Sequence, residues 1–515
     1  MKSWATFLFF VALLVGAALR LPDLGNRPMH NDEAVNAIKF GALWERGEYR
    51  YDPHEYHGPT LHYLTAVLCG ITGAPAFEKL DETRLRLISA LAGLGLILLV
   101  PFIRDELGKV GAAAVAIFTA VSPLMVFYSR YWIHEMLLVL FSFLAMVAVW
   151  RWMRQPRWIY ALVAGAAIGL MQATKETFVL ALSAALAGGC VNALWTQARP
   201  QAGTRTLWTG RLVLVAAAAW GAIWLLFFSS FFQNWVGLMD SVRTYEPWLR
   251  NAGDDSIHSQ PVGFYWERLF WFAPKGGLIS SEALLLLLAL VGALSGFVGN
   301  RDSGGRTDFV RWLAVYTFSL ATIYTIIPYK TPWCALGFHH GIILLAGVGV
   351  AFAWHACKSF TARMAFAFVL MIGVAHLGWQ AWRGSFEQIS ARSNPWVYSQ
   401  TSPDLLNLVD TVEAVTGSGE GTASVIQVIG ANDDYWPLPW YLRQYPKVGW
   451  WNHWDRNTSA SLVIASAESK LGLEAEGAYR MVGYFQLRPQ VFMELYVERQ
   501  LWERYLASRP APKPD

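Results

Sequence analysis

Apolar runs of fifteen to twenty residues recur along the chain from Val11 to about Trp382, separated by short polar connections, and then stop. A helix needs about 20 apolar residues to cross the hydrocarbon core of a bilayer. On that criterion eleven segments read as spans: residues 4–21, 86–103, 110–128, 135–152, 158–173, 177–195, 212–231, 281–299, 310–328, 334–354 and 364–382. The first has a single basic residue, Lys2, ahead of it and no A-x-A cleavage site behind it, so it reads as a span and not as a removed leader.

Three long polar segments remain, at residues 22–85, 232–280 and 383–515. In the first, two amphipathic stretches, 33–46 and 60–72, flank the run YDPHEYHGPT. They predict helices lying along the membrane interface, with Trp44, Tyr49, Tyr51 and Tyr63 at headgroup depth. The last segment alternates strand-like runs (424–429, 461–466, 479–487) with helix-like ones (403–415, 490–507), which predicts a small α/β domain.

Basic residues in short loops orient the spans, because cytoplasmic connections carry the excess of Lys and Arg. With the N-terminus inside, the inner connections hold Arg104 and Lys109; Arg151, Arg154 and Arg157; Arg199, Arg205 and Arg211; Arg301, Arg306 and Arg311; Lys358 and Arg363. The short outer connections hold one each, Arg130, Lys175 and Lys330. An odd number of spans then places residues 383–515 outside. The expectation is a multi-pass protein of the plasma (inner) membrane with a cytoplasmic N-terminus and an extracytoplasmic C-terminal domain.

Composition agrees. Apolar residues make up 55% of the chain and charged ones only 15%, against about a quarter charged in a soluble domain. That excludes a soluble globular enzyme, a nucleic-acid-binding protein and a disordered chain. The net charge of +4 is too small to imply a polyanionic partner. Cys69, Cys190, Cys334 and Cys357 are scattered without CxxC or metal-ligand spacing, so neither a disulfide framework nor a zinc site is signalled.

The chemistry sits at span boundaries on the outer side. RPMHNDEA follows the first span and carries Asp32 and Glu33. One reading is a helix cap with an acidic first turn; the other is a carboxylate that takes a proton from an acceptor hydroxyl at the membrane surface. YSRYWIHEML holds Arg130, His134 and Glu135. Its aromatics suit an interfacial belt, but that leaves an adjacent His–Glu pair at the mouth of an apolar span unexplained. ATKET holds Lys175 and Glu176, which read as an ion pair closing a tight turn. IIPYKTPW is a turn held by two prolines that projects Tyr329 and Lys330 outward, where Lys330 reads either as a snorkelling anchor or as a point charge for a lipid phosphate.

HNDEA, SRYWIHE, ATKET and IPYKTPW, in that order over roughly residues 1–380, resemble the multi-span GT-C glycosyltransferases. That group includes the protein O-mannosyltransferases and the aminoarabinose transferases. The motifs are most similar to the family described as flippase-activity-associated proteins. The resemblance implies an α-helical polytopic membrane protein of GT-C type with about eleven transmembrane helices (residues 1–382) and a small extracytoplasmic α/β domain (residues 383–515). It also implies transfer of a sugar from a polyprenyl- or dolichyl-phosphate donor to an acceptor protein or glycan on the outer face.

By that resemblance Asp32 is the general base and Glu33 organises the site. Glu135 with His134 takes the second acidic position, and Arg130, Lys175, Tyr329 and Lys330 are candidates for the donor phosphate. His54, His57 and Trp333 are candidate substrate contacts, the indole being suited to stack on a sugar face. No cofactor is predicted. The run His54, His57, His62 leaves a divalent metal open, although His-x₂-His beside a proline brings no defined carboxylate ligand. A non-catalytic partner of a lipid-linked-sugar flippase is the alternative reading. A secondary transporter fits less well, because the ionisable groups lie at span ends and not at mid-span.

Overall fold

The computed structural model describes residues 3–54, 57–197, 210–253, 258–275, 277, 279–298, 307–430, 434–455 and 457–509, and in it each of the eleven apolar segments carries a helix. Numbered in chain order, these are α1 (Ser3–Arg20), α4 (Glu82–Leu99), α5 (Arg104–Val121), α7 (Glu135–Arg154), α8 (Trp158–Gln172), α9 (Phe178–Gln197), α10 (Gly210–Phe228), α14 (Ala283–Val298), α15 (Thr307–Ile326), α16 (Leu336–Ala356) and α17 (Phe360–Trp382). Among the described residues seven helical stretches are long and apolar enough to cross a membrane, one of them joining α4 and α5. Helices α1, α8 and α14 are apolar but shorter.

The third expected span, 110–128, is drawn differently by the chain. Helix α5 begins at Arg104, breaks its helical backbone at Gly108 (φ 72°) and stops at Val121. Ser122 then accepts from the Met125 N–H, and Pro123 opens a separate short helix, α6 (Pro123–Ser129). Proline has no N–H to lose in a first turn, so it starts a helix there as readily as it would break one further in.

The chain packs as two compact units. The first comprises Met1–Leu24, Tyr49–Ile71 and Thr83–Tyr398. Its core is α16, which is apolar all round and has 89% of its apolar stretch buried, as expected for a helix surrounded by others. Helices α14 and α16 touch backbone to backbone. A Cβ on Gly292 would stand 2.0 Å from the Leu345 carbonyl oxygen, and one on Gly349 would stand 2.0 Å from that of Leu288. Small residues at the crossing are what allow such an approach in a bilayer. By contrast α10 and α17 bury only 11% and 6% of theirs. Helix α3 (Thr60–Ile71) and the short helices α11 (Val236–Arg243), α12 (Tyr245–Gly253) and α13 (Phe264–Phe270) complete this unit.

The second unit comprises Gly25–Glu48, Thr72–Glu82 and Ser399–Asp515. The sequence expectation drew one boundary after residue 382; in the structure residues 383–398 pack with the first unit and α2 (Asn31–Arg46) packs with the second. A five-stranded sheet, ordered β2-β1-β3-β5-β4, forms its centre, with β1 (Ile426–Ile429), β2 (Val448–Trp451), β3 (Leu462–Ser466), β4 (Tyr479–Arg488) and β5 (Val491–Glu498). Strand β1 runs parallel to β2 and β3, and β5 is antiparallel to β3 and β4.

Helix α18 (Asp404–Gly417) sets Leu405, Leu408, Val412 and Val415 against Ile426, Val428, Leu462 and Ile464. Short helix α19 (Leu438–Tyr441) meets the approach to α2: the Met29 N–H donates to the Tyr441 hydroxyl at 2.8 Å. The expected helix at 490–507 is corrected. Its first half is β5 and only Arg499–Ser508 is helical, as α20. VFMELYVE is rich in aromatic and β-branched residues, and Gln490 takes a left-handed turn (φ 69°) that pairs the run with β4.

Candidate functional site

Asp32 and Glu33 sit in the first turn of α2, within the second unit, and do different work. His30 is the N-cap, its Nδ1 accepting from the Asp32 N–H at 3.2 Å, while Glu33 accepts from the His30 N–H at 2.9 Å. The cap is thus His30, ahead of the acidic pair that forms the first turn. Glu33 is fully buried and takes Arg27 Nη2 on both oxygens at 3.1 Å. It is a structural carboxylate. Asp32 keeps its side chain half exposed, with His30 Nδ1 3.8 Å from its Oδ1.

In the first unit, three sequence motifs converge at the head of α7. The Gly58 N–H donates to the Thr174 carbonyl and the Thr60 N–H to that of Ala173, both at 3.0 Å, and the two threonine hydroxyls meet at 2.8 Å. This docks YDPHEYHGPT onto ATKET. The pairing inside ATKET differs from the expected one. Lys175 reaches across to Glu135 (Nζ–Oε1 2.5 Å), and Glu176 takes His57 (Oε2–Nδ1 3.0 Å). His134 sets its Nε2 3.0 Å from the Gly58 carbonyl oxygen and its ring 5.3 Å from that of His57 and 5.9 Å from that of His62.

Electrostatics in these turns follow from burial and from the partners. Burial works against the charge on Lys175, but Glu135 outweighs it and holds the ammonium well above its ordinary range. Burial also opposes ionisation of Glu176, and His57 with Lys175 overcomes it, bringing the carboxyl down to about 2. His134 is pushed well below the usual imidazole range by burial, with His57, His62 and Lys175 adding to the effect. The cluster therefore holds fixed charges of both signs around a neutral imidazole.

Beneath it two cavities lie along α7. Glu135, Lys175, Trp333, Cys334, Tyr324 and Leu138 line a small cavity of about 30 Å³. A second, far larger cavity of about 960 Å³ lies between α7, α8, α9 and α15. Ser142, Ala181 and Tyr316 line both. Along α7 the lining residues are Leu138, Ser142, Ala145, Val149 and Met153, one helical face, ending at Arg154. The 20 residues of α7 extend about 30 Å, the thickness of the hydrocarbon core. The two cavities together follow α7 from Glu135 to Arg154, with the ion pair at one end.

The remaining candidates lie elsewhere. Arg130 donates to the carbonyls of Leu19, Arg20, Pro22 and Asp23 (2.7–3.4 Å). It satisfies the free acceptors at the end of α1. Lys330 does not project outward, which corrects the expectation for that turn. It is buried, and its ammonium donates to the carbonyls of Gln260 (3.1 Å) and Ile327 (2.6 Å). Tyr329 packs on His258, ring centroids 4.9 Å apart. His54 is exposed, its N–H donating to Asp52. Trp333 lines the small cavity, so of the substrate candidates His57 and Trp333 belong to the cluster or its cavity.

Two features escaped the sequence. Glu176 was read as a turn residue, although its place in ATKET was the available signal. Ser122, Glu282 and His339 form a buried group: the Ser122 hydroxyl donates to Glu282 Oε2 at 2.7 Å, His339 Nε2 lies 3.0 Å from that oxygen, and Glu282 Oε1 accepts from the Leu124 N–H at 3.0 Å. This carboxylate caps α6, the helix leading into the Arg130–Glu135 turn. Single polar residues in apolar stretches far apart in sequence gave no pattern to read. Among the described residues no group of three or more His, Cys, Asp or Glu is placed to hold a metal ion.

No curated protein matches the chain in sequence. Residues 57–224, which include His57, His134, Glu135, Lys175 and Glu176, match the model of the family described as dolichyl-phosphate-mannose-protein mannosyltransferase. In fold the chain is similar to ArnT from Cupriavidus metallidurans, solved bound to undecaprenyl phosphate, with a TM-score of 0.61 at 16% identity and 100% of each chain covered. It is similar also to the archaeal oligosaccharyltransferase AglB from Archaeoglobus fulgidus, solved with an inhibitory peptide and a dolichol-phosphate, with a TM-score of 0.58 at 14% identity, covering 98% of this chain and 77% of that one. The chain therefore has the GT-C fold that its motif order implied, and residues 57–224 are similar to the mannosyltransferase family.

Proposed function

We propose that this protein transfers a sugar from a polyprenyl- or dolichyl-phosphate donor to a protein or glycan acceptor on the extracytoplasmic face, with Asp32 as general base. The observation that carries the reading is the pair of cavities along α7. A small cavity lined by Lys175 and Glu135 and a large, mostly apolar one further along the same helix suit a ligand that is a long hydrocarbon ending in an anionic phosphate. The relatives solved with undecaprenyl phosphate and dolichol-phosphate support the same class of donor.

The chemistry asks little covalent help of the protein. The lipid phosphate is a good leaving group, and a cation fixed in a water-poor site offsets the charge it develops. Lys175 fills that role, kept charged by Glu135 until the phosphate arrives. His57 and Glu176 border the same place and orient the sugar. Asp32, the half-exposed carboxylate of the DE pair, accepts the acceptor's proton. Kinship with the flippase-activity-associated family belongs to this proposal and rests on the four motifs.

The test is lipid-donor binding by native mass spectrometry of the purified protein, combined with envelope glycan and glycoprotein profiling in cells with and without it. Polyprenyl phosphate retained by the wild type, lost in a cavity-filling Ala145→Trp variant, and one sugar increment missing from the deletion strain support the assignment. Donor binding with no missing increment points instead to the non-catalytic flippase partner.

A further inference from the structure

Helix α11 follows α10 through a tight elbow. Ser230, Phe231 and Phe232 take left-handed backbone conformations (φ 49°, 55° and 72°). The elbow is closed by bonds from the Phe231 N–H to the Leu226 carbonyl and from the Asn234 N–H to that of Ser229, both 2.8 Å. Bulky residues rarely adopt this region, so the bend is imposed by what it positions. Gly237 lies against the end of α10, where a Cβ would meet the Phe228 carbonyl oxygen at 2.1 Å. Ser241 accepts from Trp224 Nε1 at 3.0 Å. One face of α11 is thus fastened to α10.

The other face is bare and apolar. Trp235, Val236, Met239 and Val242 are each 56–61% exposed, and Phe232 leads into them at 51%. Their spacing makes one helical stripe, which also carries Arg243, its guanidinium paired with Asp240 (3.3 Å). This stripe continues the exposed apolar surface of α10, of which only 11% is buried. The solvent that covers α10 therefore reaches α11 without interruption.

The fastened side also touches the candidate site. The Tyr51 ring packs on Phe228 (5.1 Å) and the Tyr63 ring on Phe231 (4.9 Å). The Tyr51 hydroxyl bonds Thr244, at the end of α11. Tyr51 and Tyr63 flank the run that carries His57.

We propose that α11 is an interfacial anchor whose Trp235–Met239–Val242 face lies in the headgroup–acyl boundary of the bilayer and thereby sets the depth of the His57 loop. A short amphipathic helix with a bulky apolar face is held in that zone by its buried area, and Arg243 is long enough to keep its charge in water. The proposal rests on the membrane reading of the fold and not on sugar transfer, so the two fail separately.

The experiment uses the full chain in phosphatidylcholine–phosphatidylglycerol nanodiscs, with Cys190 and Cys357 replaced by serine. Nitroxide labels are placed singly through Trp235→Cys, Met239→Cys and Val242→Cys. Labels at 235, 239 and 242 should collide several-fold more with oxygen than with a water-soluble nickel chelate. Free access of the chelate to 239 and 242 overturns the proposal. Exclusion of both reagents with dipolar broadening overturns it in favour of a second copy of the chain. A label introduced by Arg50→Cys reads the coupling: Met239→Glu should raise its access to the chelate, and no change would refute the role in setting loop depth.

Discussion

Lys175 and Glu135 meet at 2.5 Å in a site where each side chain is only 7% exposed. Neither residue is near the other in sequence, and the pair is made only because the α8–α9 turn lies over the first turn of α7. Removing one partner of a buried pair strands a charge at a cost of about 3–5 kcal/mol, whereas replacing both by apolar residues is far milder. Glu135→Met should therefore lower the melting temperature sharply, and Glu135→Met with Lys175→Met should recover most of the loss. The recovered double variant should still fail to retain polyprenyl phosphate. Thermal unfolding in detergent and native mass spectrometry read the two effects.

Glu176 carries a pH signature. Its carboxyl lies near 2 in the folded protein instead of at its ordinary 4.5. The stability it brings is fully present above about pH 4.5 and disappears as pH falls through about 2. The shift corresponds to roughly 3 kcal/mol. Unfolding free energies of the wild type and Glu176→Gln should differ by that order at neutral pH and converge toward pH 2. A constant difference across the range would mean that His57 does not hold the carboxylate charged.

Glu33 and Asp32 are adjacent yet should behave oppositely in stability. Glu33→Gln leaves Arg27 without its bidentate partner and should destabilise the second unit by a few kcal/mol. Asp32→Asn should cost at most about 1 kcal/mol, because His30 and Glu33 already make the cap. Scanning calorimetry of the two variants separates them.

Lys330 ties the turn after α15 to Gln260 through one carbonyl and closes the turn on itself through that of Ile327. Lys330→Ala leaves both acceptors unsatisfied, at about 1–3 kcal/mol for each buried group. The expected outcome is a lower melting temperature with donor affinity unchanged in the protein that remains folded. A selective loss of donor affinity at unchanged stability would return Lys330 to the phosphate site.

Much of this was legible in the chain, and the reasons for the rest are physical. Spans could be read because lipid demands long apolar helices, so every expected segment carries one. Their edges slipped where a serine and a proline, Ser122 and Pro123, stop one helix and start the next inside a single apolar run. SRYWIHE and ATKET stood out as motifs, but a motif does not state its partner. Lys175 lies beside Glu176 in sequence and beside Glu135 in space. Lys330 looked available because a lone base at a membrane face usually is, and nothing local announced the carbonyls of Gln260 and Ile327. In the tail, VFMELYVE reads as helix because it lacks the alternation that marks a strand and runs unbroken into the helical Arg499–Ser508.

The central claim is that the protein moves a sugar from a lipid phosphate with Asp32 taking the acceptor's proton. Its most direct test is transfer of labelled sugar from a polyprenyl-phosphate donor by purified wild type and Asp32→Asn protein, side by side. The account predicts transfer by the wild type and a loss of about two orders of magnitude or more in Asp32→Asn, with donor still bound by both. Equal transfer by the two proteins would contradict the assignment of Asp32, and donor bound without transfer by the wild type would contradict the reaction itself.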